Sequence, residues 1–316
     1  TMPAIIAFIA SLVENGSAYV VDGDVYFRVS SVKDYGCLSG IRIEELIEGA
    51  SERVDGAEKK ESPLDFALWK KTDEGIQWDS PWSKGRPGWH TECVVMINQL
   101  FEDGRIDIHG GGQDLKFPHH ENEIAQSMAY HQHKIANYWM HNQMININNE
   151  KMSKSLGNVK WAKDLVAELG VNVYKWLMLS THYRNPLNFT DDVVNNVKKE
   201  VAKVERAISQ SALQLQIRHL ALDAKPDRAV VDHLAEVLED DLNTSNGLTC
   251  LLDEVKVLNT LLRQKEMDEQ ALETHFASLQ AMAAIFGFAF SYRQLSEEEI
   301  TLYTQWQALK QAKNFE

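Results

Sequence analysis

The chain has 316 residues, of which 44% are hydrophobic and 25% are charged. This length predicts two or three domains, and the composition excludes wholesale disorder, collagen and coiled coil. Lysine and arginine total 32 against 46 aspartates and glutamates, a net charge of −14, so any contact with nucleic acid must come from local basic patches. No apolar run is long enough to cross a bilayer, and three cysteines are too few for a disulfide framework. We therefore expect a cytoplasmic protein with no membrane partner.

Apolar spacing and turn signals predict an α/β first part. Residues 3–14 repeat apolar side chains at helical spacing, and Asp22-Gly23 followed by alternating apolar residues predicts a hairpin. Residues 40–62 are charged and irregular, which indicates a surface insertion. A second α/β stretch covers residues 68–160. Its predicted elements are a helix at 91–101, a strand at 105–109, a glycine run, a helix that begins at Pro118 and a strand at 138–147.

From residue 162 the pattern is helical. Two apolar stripes have steps of about four, three and four residues, the spacing of one helix face. They are Leu251, Val255, Leu258, Leu262 and Leu272, Phe276, Leu279, Met282. This spacing predicts a helical bundle. From Asn196 onward there are 13 lysines and arginines against 19 acidic residues, a net charge of −6, so the predicted bundle is not basic.

Cys93, His119 and Glu123 have the chemistry of metal ligands. If a helix begins at Pro118, His119 and Glu123 lie at i and i+4 on one face, and a thiolate from another element supplies a third ligand. Thiolate with imidazole favours zinc, and three protein ligands leave a position open for substrate. The spacing alone favours the alternative, a polar helix N-terminus beside an ordinary buried thiol.

Two further segments have unusual composition. Ile106-Asp-Ile-His-Gly-Gly-Gly-Gln-Asp114 is a predicted strand that runs into glycines, which lets a ligand approach the backbone and leaves Asp114 to bind an ammonium group. A tight turn with a capping aspartate explains it equally well. Lys151-Met-Ser-Lys-Ser155 places two lysines around small hydroxyl residues, and two ammonium groups suit charge that develops on phosphate oxygens.

Together these residues resemble the cysteinyl-tRNA synthetase family of class I aminoacyl-tRNA synthetases. The matching segments are Pro63-Leu-Asp-Phe-Ala-Leu-Trp-Lys70, Gly85-Arg-Pro-Gly-Trp-His-Thr-Glu-Cys93, the block from Asp107 to Ser127, Lys151-Met-Ser-Lys-Ser155, His182-Tyr-Arg184 and Asp240-Asp-Leu-Asn-Thr244. The resemblance implies ATP-dependent activation of L-cysteine to cysteinyl-adenylate and its transfer to tRNA(Cys). It also implies one zinc ion per chain, ATP with Mg²⁺ as a substrate, and a monomer.

The resemblance also implies roles for individual residues. Cys93, His119 and Glu123 match zinc ligands, Trp89 matches an aromatic side chain beside the substrate, and Asp114 matches an acid near its amino group. Three more matches concern ATP and catalysis: Lys154, the ATP-contacting second lysine of the signature loop; Lys151, the first lysine; and His109, at the substrate or nucleotide crevice. The basic residues Lys198, Lys199, Lys203 and Arg206 are predicted to contact tRNA.

The resemblance predicts the second half of a class I Rossmann-like catalytic domain with an inserted connective segment, followed by a helical bundle. We predict connective insertion at 1–75, catalytic half-domain with the signature loop at 76–160, stem-contact segment at 161–195 and truncated helical tRNA-binding domain at 196–316. The family's His-Ile-Gly-His motif and its fourth zinc ligand, a cysteine, belong to a preceding half that this sequence does not include.

Three other functions are compatible with parts of the pattern. A cysteine ligase of the mycothiol pathway uses the same zinc and adenylate chemistry on an amino sugar, but the long helical region after residue 196 argues against it. An inactive tRNA-binding fragment is compatible with the missing His-Ile-Gly-His half. A generic zinc hydrolase is disfavoured because no His-Glu-x-x-His motif occurs.

Overall fold

The computed structural model describes residues 1–41, 59–153 and 156–311. The chain divides into two compact units, Thr1–Asn142 and Gln143–Glu316. Most of the charged segment 40–62 and the predicted ATP-contacting residue Lys154 lie outside the described residues. Helices and strands alternate first and helices dominate later, which agrees with the predicted α/β plus α class.

The first unit has three α-helices and six strands among its described residues. They are α1 (Met2–Glu14), β1 (Ala18–Val21), β2 (Asp24–Phe27), β3 (Phe66–Lys71), β4 (Gly85–Pro87), α2 (Trp89–Leu100), β5 (Ile106–Gly112), α3 (Glu121–His131) and β6 (Ala136–Asn142). Strands β1 to β4 form an antiparallel sheet in chain order, and β5 pairs with β6 in parallel. The predicted opening helix and the hairpin at Asp22-Gly23 are confirmed.

Large apolar side chains from these elements meet in one core. Ile9 of α1, Trp69 of β3, Val94 of α2 and Ile135 before β6 are each fully enclosed. Burial of a side chain of this size contributes about 1.5–3 kcal/mol, so the core fixes α2 firmly on the sheet. Cys93 precedes Val94 on α2 and is only half-buried, so it lies at the margin of this core.

The strand predicted at 105–109 continues through the glycine run, so the alternative of a tight turn at the glycines is wrong. Gly110, Gly111 and Gly112 pair with β6 as part of β5. Space explains the glycines, because a Cβ atom on Gly111 would lie 2.7 Å from Cε1 of His120. The strand pairs with β6 in parallel, and the imidazole of His120 occupies the space beside the glycine backbone where the sequence predicts a ligand.

The helix predicted to begin at Pro118 begins three residues later. Residues Lys116–His120 form one wide turn in which Phe117 has extended backbone, and α3 starts at Glu121. A residue that precedes proline avoids helical backbone, which accounts for the extended Phe117.

The second unit contains three short strands and seven α-helices in its described part. They are β7 (Ile145–Ile147), β8 (Glu150–Lys151), α4 (Ala162–Leu169), α5 (Val171–Leu179), β9 (Leu187–Phe189), α6 (Asp191–Ile217), α7 (Arg228–Glu239), α8 (Thr244–Leu261), α9 (Glu269–Ile285) and α10 (Glu297–Gln311). Strand β7 lies between β8, which is antiparallel to it, and β9, which is parallel. The single strand predicted at 138–147 is therefore two strands, because after β6 ends the backbone N–H of Gln143 donates to the carbonyl of Tyr183 (2.8 Å).

The two apolar stripes predicted from the sequence, at 251–262 and 272–282, form part of the core of the helical bundle. Leu251, Leu258, Phe276 and Leu279 are each 0% exposed. Helices α6 to α9 each begin at a side-chain cap that accepts a backbone N–H, a device that stabilises a helix start by about 1 kcal/mol. The caps are Thr190, Asp227, Asn243 and Asp268. No helix in the described ranges combines the length and apolar content needed to cross a membrane.

Candidate metal centre and signature loop

Three predicted ligands converge in the first unit. Cys93 comes from α2, His119 from the turn before α3, and Glu123 from the first turn of α3. One ligand atom of each lies within 4.8 Å of the other two. Nε2 of His119 is 3.0 Å from Oε1 of Glu123, so the predicted i, i+4 contact is formed.

Glu123 is the most enclosed member of this cluster. Its side chain is 0% exposed, and its Oε2 lies 2.7 Å from Nε2 of His109. Burial alone would raise the pKa of Glu123, but the two imidazoles lower that pKa to about 2, so the carboxylate is ionised at neutral pH. Its two carboxylate oxygens are enclosed, and one faces His109 while the other faces His119. A buried charge of this kind is paired with polar groups or coordinates a metal.

Four histidines pair around the cluster. Nδ1 of His119 lies 2.8 Å from Nδ1 of His90, and Nδ1 of His120 lies 2.8 Å from Nε2 of His141. Burial lowers the pKa of His90 and of His120 to about 4, which keeps both rings neutral. Burial also raises the pKa of the Cys93 thiol to about 11, and the Glu123 charge adds to that effect.

This donor set fits zinc. Sulfur, imidazole nitrogen and carboxylate oxygen are its ordinary ligands, and tetrahedral ligands at about 2.0–2.3 Å from the ion lie about 3.5 Å apart. The three ligand atoms lie within 4.8 Å of one another, and the His119–Glu123 pair is 3.0 Å apart. His109 and His120 form a second group with the same Glu123, also within 4.8 Å, so the two groups share one carboxylate.

The other predicted substrate residues lie at different distances from this cluster. The ring of Trp89 stacks on that of His119, with centroids 4.3 Å apart, and 59% of the residue is exposed. His109, predicted at the nucleotide or substrate crevice, lies against Glu123. Asp114 is exposed in the short turn after β5, and no described hydrogen bond or ion pair joins it to the cluster.

The predicted signature loop begins in the second unit. Lys151 ends β8 and is exposed, and its carbonyl accepts a hydrogen bond from Nδ2 of Asn158 (3.2 Å). Oδ1 of Asn158 accepts the backbone N–H of Ser153 (2.8 Å). The amide of Asn158 therefore bridges the two arms of the loop. Lys154 itself is outside the described residues.

Sequence reasoning missed the anchor of α3. The carboxylate of Glu121 is 0% exposed and accepts backbone N–H groups from Gly36 (2.9 Å), Leu38 (3.2 Å) and Ser39 (2.8 Å). The hydroxyl of Tyr35 donates to Oδ1 of Asn122 (2.6 Å). These hydrogen bonds tie the start of α3, and thus Glu123, to a loop more than 80 residues earlier. Only the glycine at position 36, with φ +95°, gave a local signal of a special turn.

Two of the four predicted tRNA-contacting cations share a groove in the bundle. Lys203 and Arg206 of α6 face Arg263, which follows α8, across a cavity of about 570 Å³. Amide side chains, two leucines and one tyrosine complete its lining: Gln210, Gln214, Asn259, Leu213, Leu262 and Tyr303. Lys198 and Lys199 are exposed on α6 but do not line the cavity.

Comparison with known proteins first defines a class. A family model described as tRNA synthetases class I (C) catalytic domain matches residues 1–199, and a DALR domain model matches residues 233–291. Among solved structures, Mycobacterium tuberculosis methionyl-tRNA synthetase in complex with methionyl-adenylate has a TM-score of 0.57 at 16% identity and covers 90% of this chain and 69% of its own. A LeuRS–tRNA–LeuAMS complex from Agrobacterium radiobacter K84 has a TM-score of 0.51 at 15% identity, over 69% of this chain and 32% of that one. The fold is that of a class I tRNA synthetase, as predicted.

Curated relatives narrow the class. A protein named cysteine--tRNA ligase from Halalkalibacterium halodurans is 42% identical over 323 residues, which is 100% of this chain and 69% of the relative. A cysteine--tRNA ligase from Geobacillus sp. is 43% identical over 95% of this chain and 65% of the relative. The chain belongs to the cysteine--tRNA ligase family and spans about two thirds of the length of these relatives. They give no support to the mycothiol-pathway alternative.

Proposed function

We propose that this chain takes part in the ATP-dependent activation of L-cysteine to cysteinyl-adenylate and in the transfer of the cysteinyl group to tRNA(Cys). Family membership supports the reaction class. The observation that supports the choice of cysteine is the convergence of Cys93, His119 and Glu123, because a sulfur-containing metal site suits a thiol substrate.

Cys93, His119 and Glu123 would hold one zinc ion per chain. A bound zinc ion supplies a Lewis-acid site that prefers thiolate sulfur to a hydroxyl oxygen, and cysteine differs from serine by that substitution. The buried carboxylate of Glu123 offsets the charge of the ion, and His90 and His109 hold the rings and the carboxylate in place.

The remaining substrate contacts use residues around this cluster. Trp89 offers an exposed aromatic face, fixed by its stack on His119, against which the substrate would pack. Asp114 would bind the substrate ammonium through its exposed carboxylate. His109 would mark the inner wall of the crevice.

Adenylation is an in-line displacement by the cysteine carboxylate at the α-phosphorus of ATP, with pyrophosphate as leaving group. It requires positioning and charge stabilisation rather than a protein nucleophile. Lys151 and Lys154 would donate hydrogen bonds to the phosphate oxygens of Mg²⁺-bound ATP as negative charge moves toward pyrophosphate.

The helical part would help to seat tRNA. The exposed side of α6 carries four basic residues, Lys198, Lys199, Lys203 and Arg206. Lys203 and Arg206 also line the groove in the bundle. We also propose that the chain has four parts: the connective insertion at 1–75, the catalytic half-domain at 76–160, the stem-contact segment at 161–195 and the helical tRNA-binding domain at 196–316. We propose in addition that the protein is monomeric and cytoplasmic.

ATP–pyrophosphate exchange in the full-length protein tests this function. We expect exchange that depends on L-cysteine and is at least about 10²-fold weaker with L-serine, the scale of discrimination that a differently coordinated side chain provides. Equal exchange with both amino acids would refute the role of the sulfur-containing site. Binding of tRNA(Cys) without any cysteine-dependent exchange would favour the alternative of an inactive tRNA-binding fragment.

A further inference from the structure

Two sequence motifs to which the proposed reaction assigns no role meet in the second unit. Oδ1 of Asp241 accepts a hydrogen bond from the hydroxyl of Tyr183 (2.6 Å) and another from Nη2 of Arg184 (3.2 Å). Oδ2 of the same carboxylate accepts from Nε of Arg184. The guanidinium also lies 5.1 Å from the centre of the Tyr183 ring. One carboxylate in the turn between α7 and α8 thus holds two consecutive side chains of the segment between α5 and β9.

The backbone of this turn is unusual. Asp241 has φ +54° and Leu242 has φ +55°, so two consecutive residues that are not glycine lie in the left-handed region. Such a conformation persists only where surrounding contacts hold it. The side-chain bonds of Asp241 supply part of that support, and the hydroxyl of Thr244 adds a bond to the carbonyl of Leu179 (2.9 Å).

The segment that Asp241 holds also supports the strands that lead to the signature loop. The carbonyl of Tyr183 accepts the N–H of Gln143 (2.8 Å), and the N–H of Leu187 donates to the carbonyl of Met144 (3.2 Å). Strand β9 then pairs with β7, and β7 pairs with β8, which ends at Lys151.

A pair of amides locks the turn before β8 to β9. Oδ1 of Asn188 accepts the backbone N–H of Asn149 (2.9 Å), and Nδ2 of Asn188 donates to Oδ1 of Asn149 (2.7 Å). Hydrogen bonds, together with the backbone segments between them, therefore connect the α7–α8 turn to the base of the signature loop within the second unit.

We propose that Asp241 is a positioning residue which, through Tyr183 and Arg184, fixes the base of the signature loop to the helical bundle. The contacts of the α7–α8 turn then stabilise strands β7 and β8, which couples the bundle to residues 143–152 at the start of the loop. This inference rests on the proposed function in one respect only, namely that the signature loop binds ATP.

Hydrogen–deuterium exchange of the chain tests this coupling without any catalytic readout. Asp241→Asn removes the charge but keeps a residue that tolerates the left-handed region. The Arg184–Asp241 pair is 60% and 44% exposed, so we expect backbone amides in residues 143–152 to exchange about two- to fivefold faster in this variant. Asp232→Asn is the matched control, since Asp232 forms an exposed pair with Arg228 on α7 (3.3 Å), and it should leave exchange in 143–152 unchanged.

Faster exchange confined to residues 238–246 would overturn the proposal, because the carboxylate would then stabilise only its own turn. Equal acceleration of 143–152 in both variants would also overturn it. If Asp241→Asn fails to fold, Tyr183→Phe removes a single hydrogen bond and should accelerate the same amides by a smaller factor.

A kinetic measurement in the full-length protein separates positioning from general stability. Asp241→Asn should lower the kcat of ATP–pyrophosphate exchange about tenfold and leave the KM for cysteine unchanged. A rise in the KM for cysteine with unchanged kcat would overturn the positioning role. Coupling by deuterium exchange in a protein that does not activate cysteine would overturn the proposed function and leave this inference standing.

Discussion

Both ring nitrogens of His119 contact another polar side chain, and both contacts bear on metal binding. Nε2 faces Glu123 at 3.0 Å and Nδ1 faces His90 at 2.8 Å. The partner of the non-ligating nitrogen fixes the orientation of a metal-binding imidazole, and its removal typically costs 10–100-fold in metal affinity.

We therefore expect His90→Ala to weaken zinc binding by about 10–100-fold, measured by competition with a chromogenic chelator. His233→Ala is the control, since that side chain is 66% exposed on α7 in the other unit. Zinc affinity within twofold of the unsubstituted protein in His90→Ala would show that His90 does not orient the ligand.

Lys154 is predicted from the sequence alone. Removal of one donor to a developing phosphate charge typically costs 10²–10³-fold in rate. Lys154→Ala in the full-length protein should slow adenylation by about 10²-fold or more, while cysteine binding without ATP barely changes.

Single-turnover measurement of adenylate formation gives that rate. Lys163→Ala, an exposed lysine of α4, is the control and should retain the rate. A Lys154 variant that loses cysteine affinity but keeps its turnover would contradict the assignment.

The sequence predicted some site residues and missed others for a clear reason. His119 and Glu123 are four residues apart, and the contact that helical spacing predicts is formed although His119 lies in the turn before α3. His90, which the sequence did not predict, reaches the cluster from α2. His109 was predicted at the crevice, but its contact with Glu123 from β5 was not, because no local rule links positions so far apart. The hydrogen bond between Tyr183 and Asp241 spans 58 residues and is invisible in any local pattern.

At the scale of elements, strands β2 and β3 are joined by an ion pair between the buried carboxylate of Asp24 and the partly exposed ammonium group of Lys70. Asp24 is 6% exposed and accepts hydrogen bonds from Nζ of Lys70 (2.8 Å), the N–H of Lys71 (2.8 Å) and the hydroxyl of Tyr26 (2.9 Å). Burial alone would raise the pKa of Asp24, but these donors lower it below its usual 3.8. Burial alone would lower the pKa of Lys70, but Asp24 and Tyr26 raise it above its usual 10.5.

The signs of these shifts set a pH window. The stability from Asp24 is present above pH 3.8 and is lost as the pH falls through its lower folded pKa. The stability from Lys70 is present below pH 10.5 and is lost as the pH rises through its higher folded pKa.

Asp24→Asn should thus lower the free energy of unfolding by about 1–2 kcal/mol between these limits, and the difference should shrink toward both extremes. Urea denaturation at a series of pH values measures it. Asp22→Asn, whose exposed carboxylate pairs with Lys59, should cost less than about 0.5 kcal/mol. A destabilisation in Asp24→Asn that is independent of pH would contradict the ionic origin.

Helices and strands were predicted correctly where the apolar periodicity is strong, and incorrectly where tertiary contacts determine the ends of an element. Helix α1 and the two bundle stripes follow the apolar pattern directly. Strand β5 extends through Gly110 to Gly112 because β6 pairs with it and His120 needs the space, and neither fact is local.

At the scale of the whole molecule, the net charge of −14 limits how tRNA can bind. The phosphates that the chain can neutralise must be few, and the basic residues of α6 are the candidates. Replacement of Lys198, Lys199, Lys203 and Arg206 by alanine should weaken tRNA binding. It should also reduce the slope of log affinity against log salt concentration by about 0.7–0.9 for each phosphate that is no longer neutralised.

Filter binding at several salt concentrations in the full-length protein measures both quantities. ATP–pyrophosphate exchange with cysteine should remain intact in the same variant. Lys256→Ala with Arg228→Ala, which removes two cations already paired with neighbouring aspartates, is the control. Unchanged affinity and unchanged salt dependence in the fourfold variant would place the tRNA-binding surface elsewhere.

The zinc content of the chain tests the central claim most directly. Cys93→Ser keeps the size of the side chain but replaces thiolate sulfur with a hydroxyl, a much poorer zinc ligand. In the full-length protein, atomic absorption should find about one zinc ion per chain without substitution and in the control Cys250→Ser, whose half-buried thiol lies on α8, and much less in Cys93→Ser. Full zinc content in Cys93→Ser would contradict the assignment of Cys93, His119 and Glu123 as the metal centre.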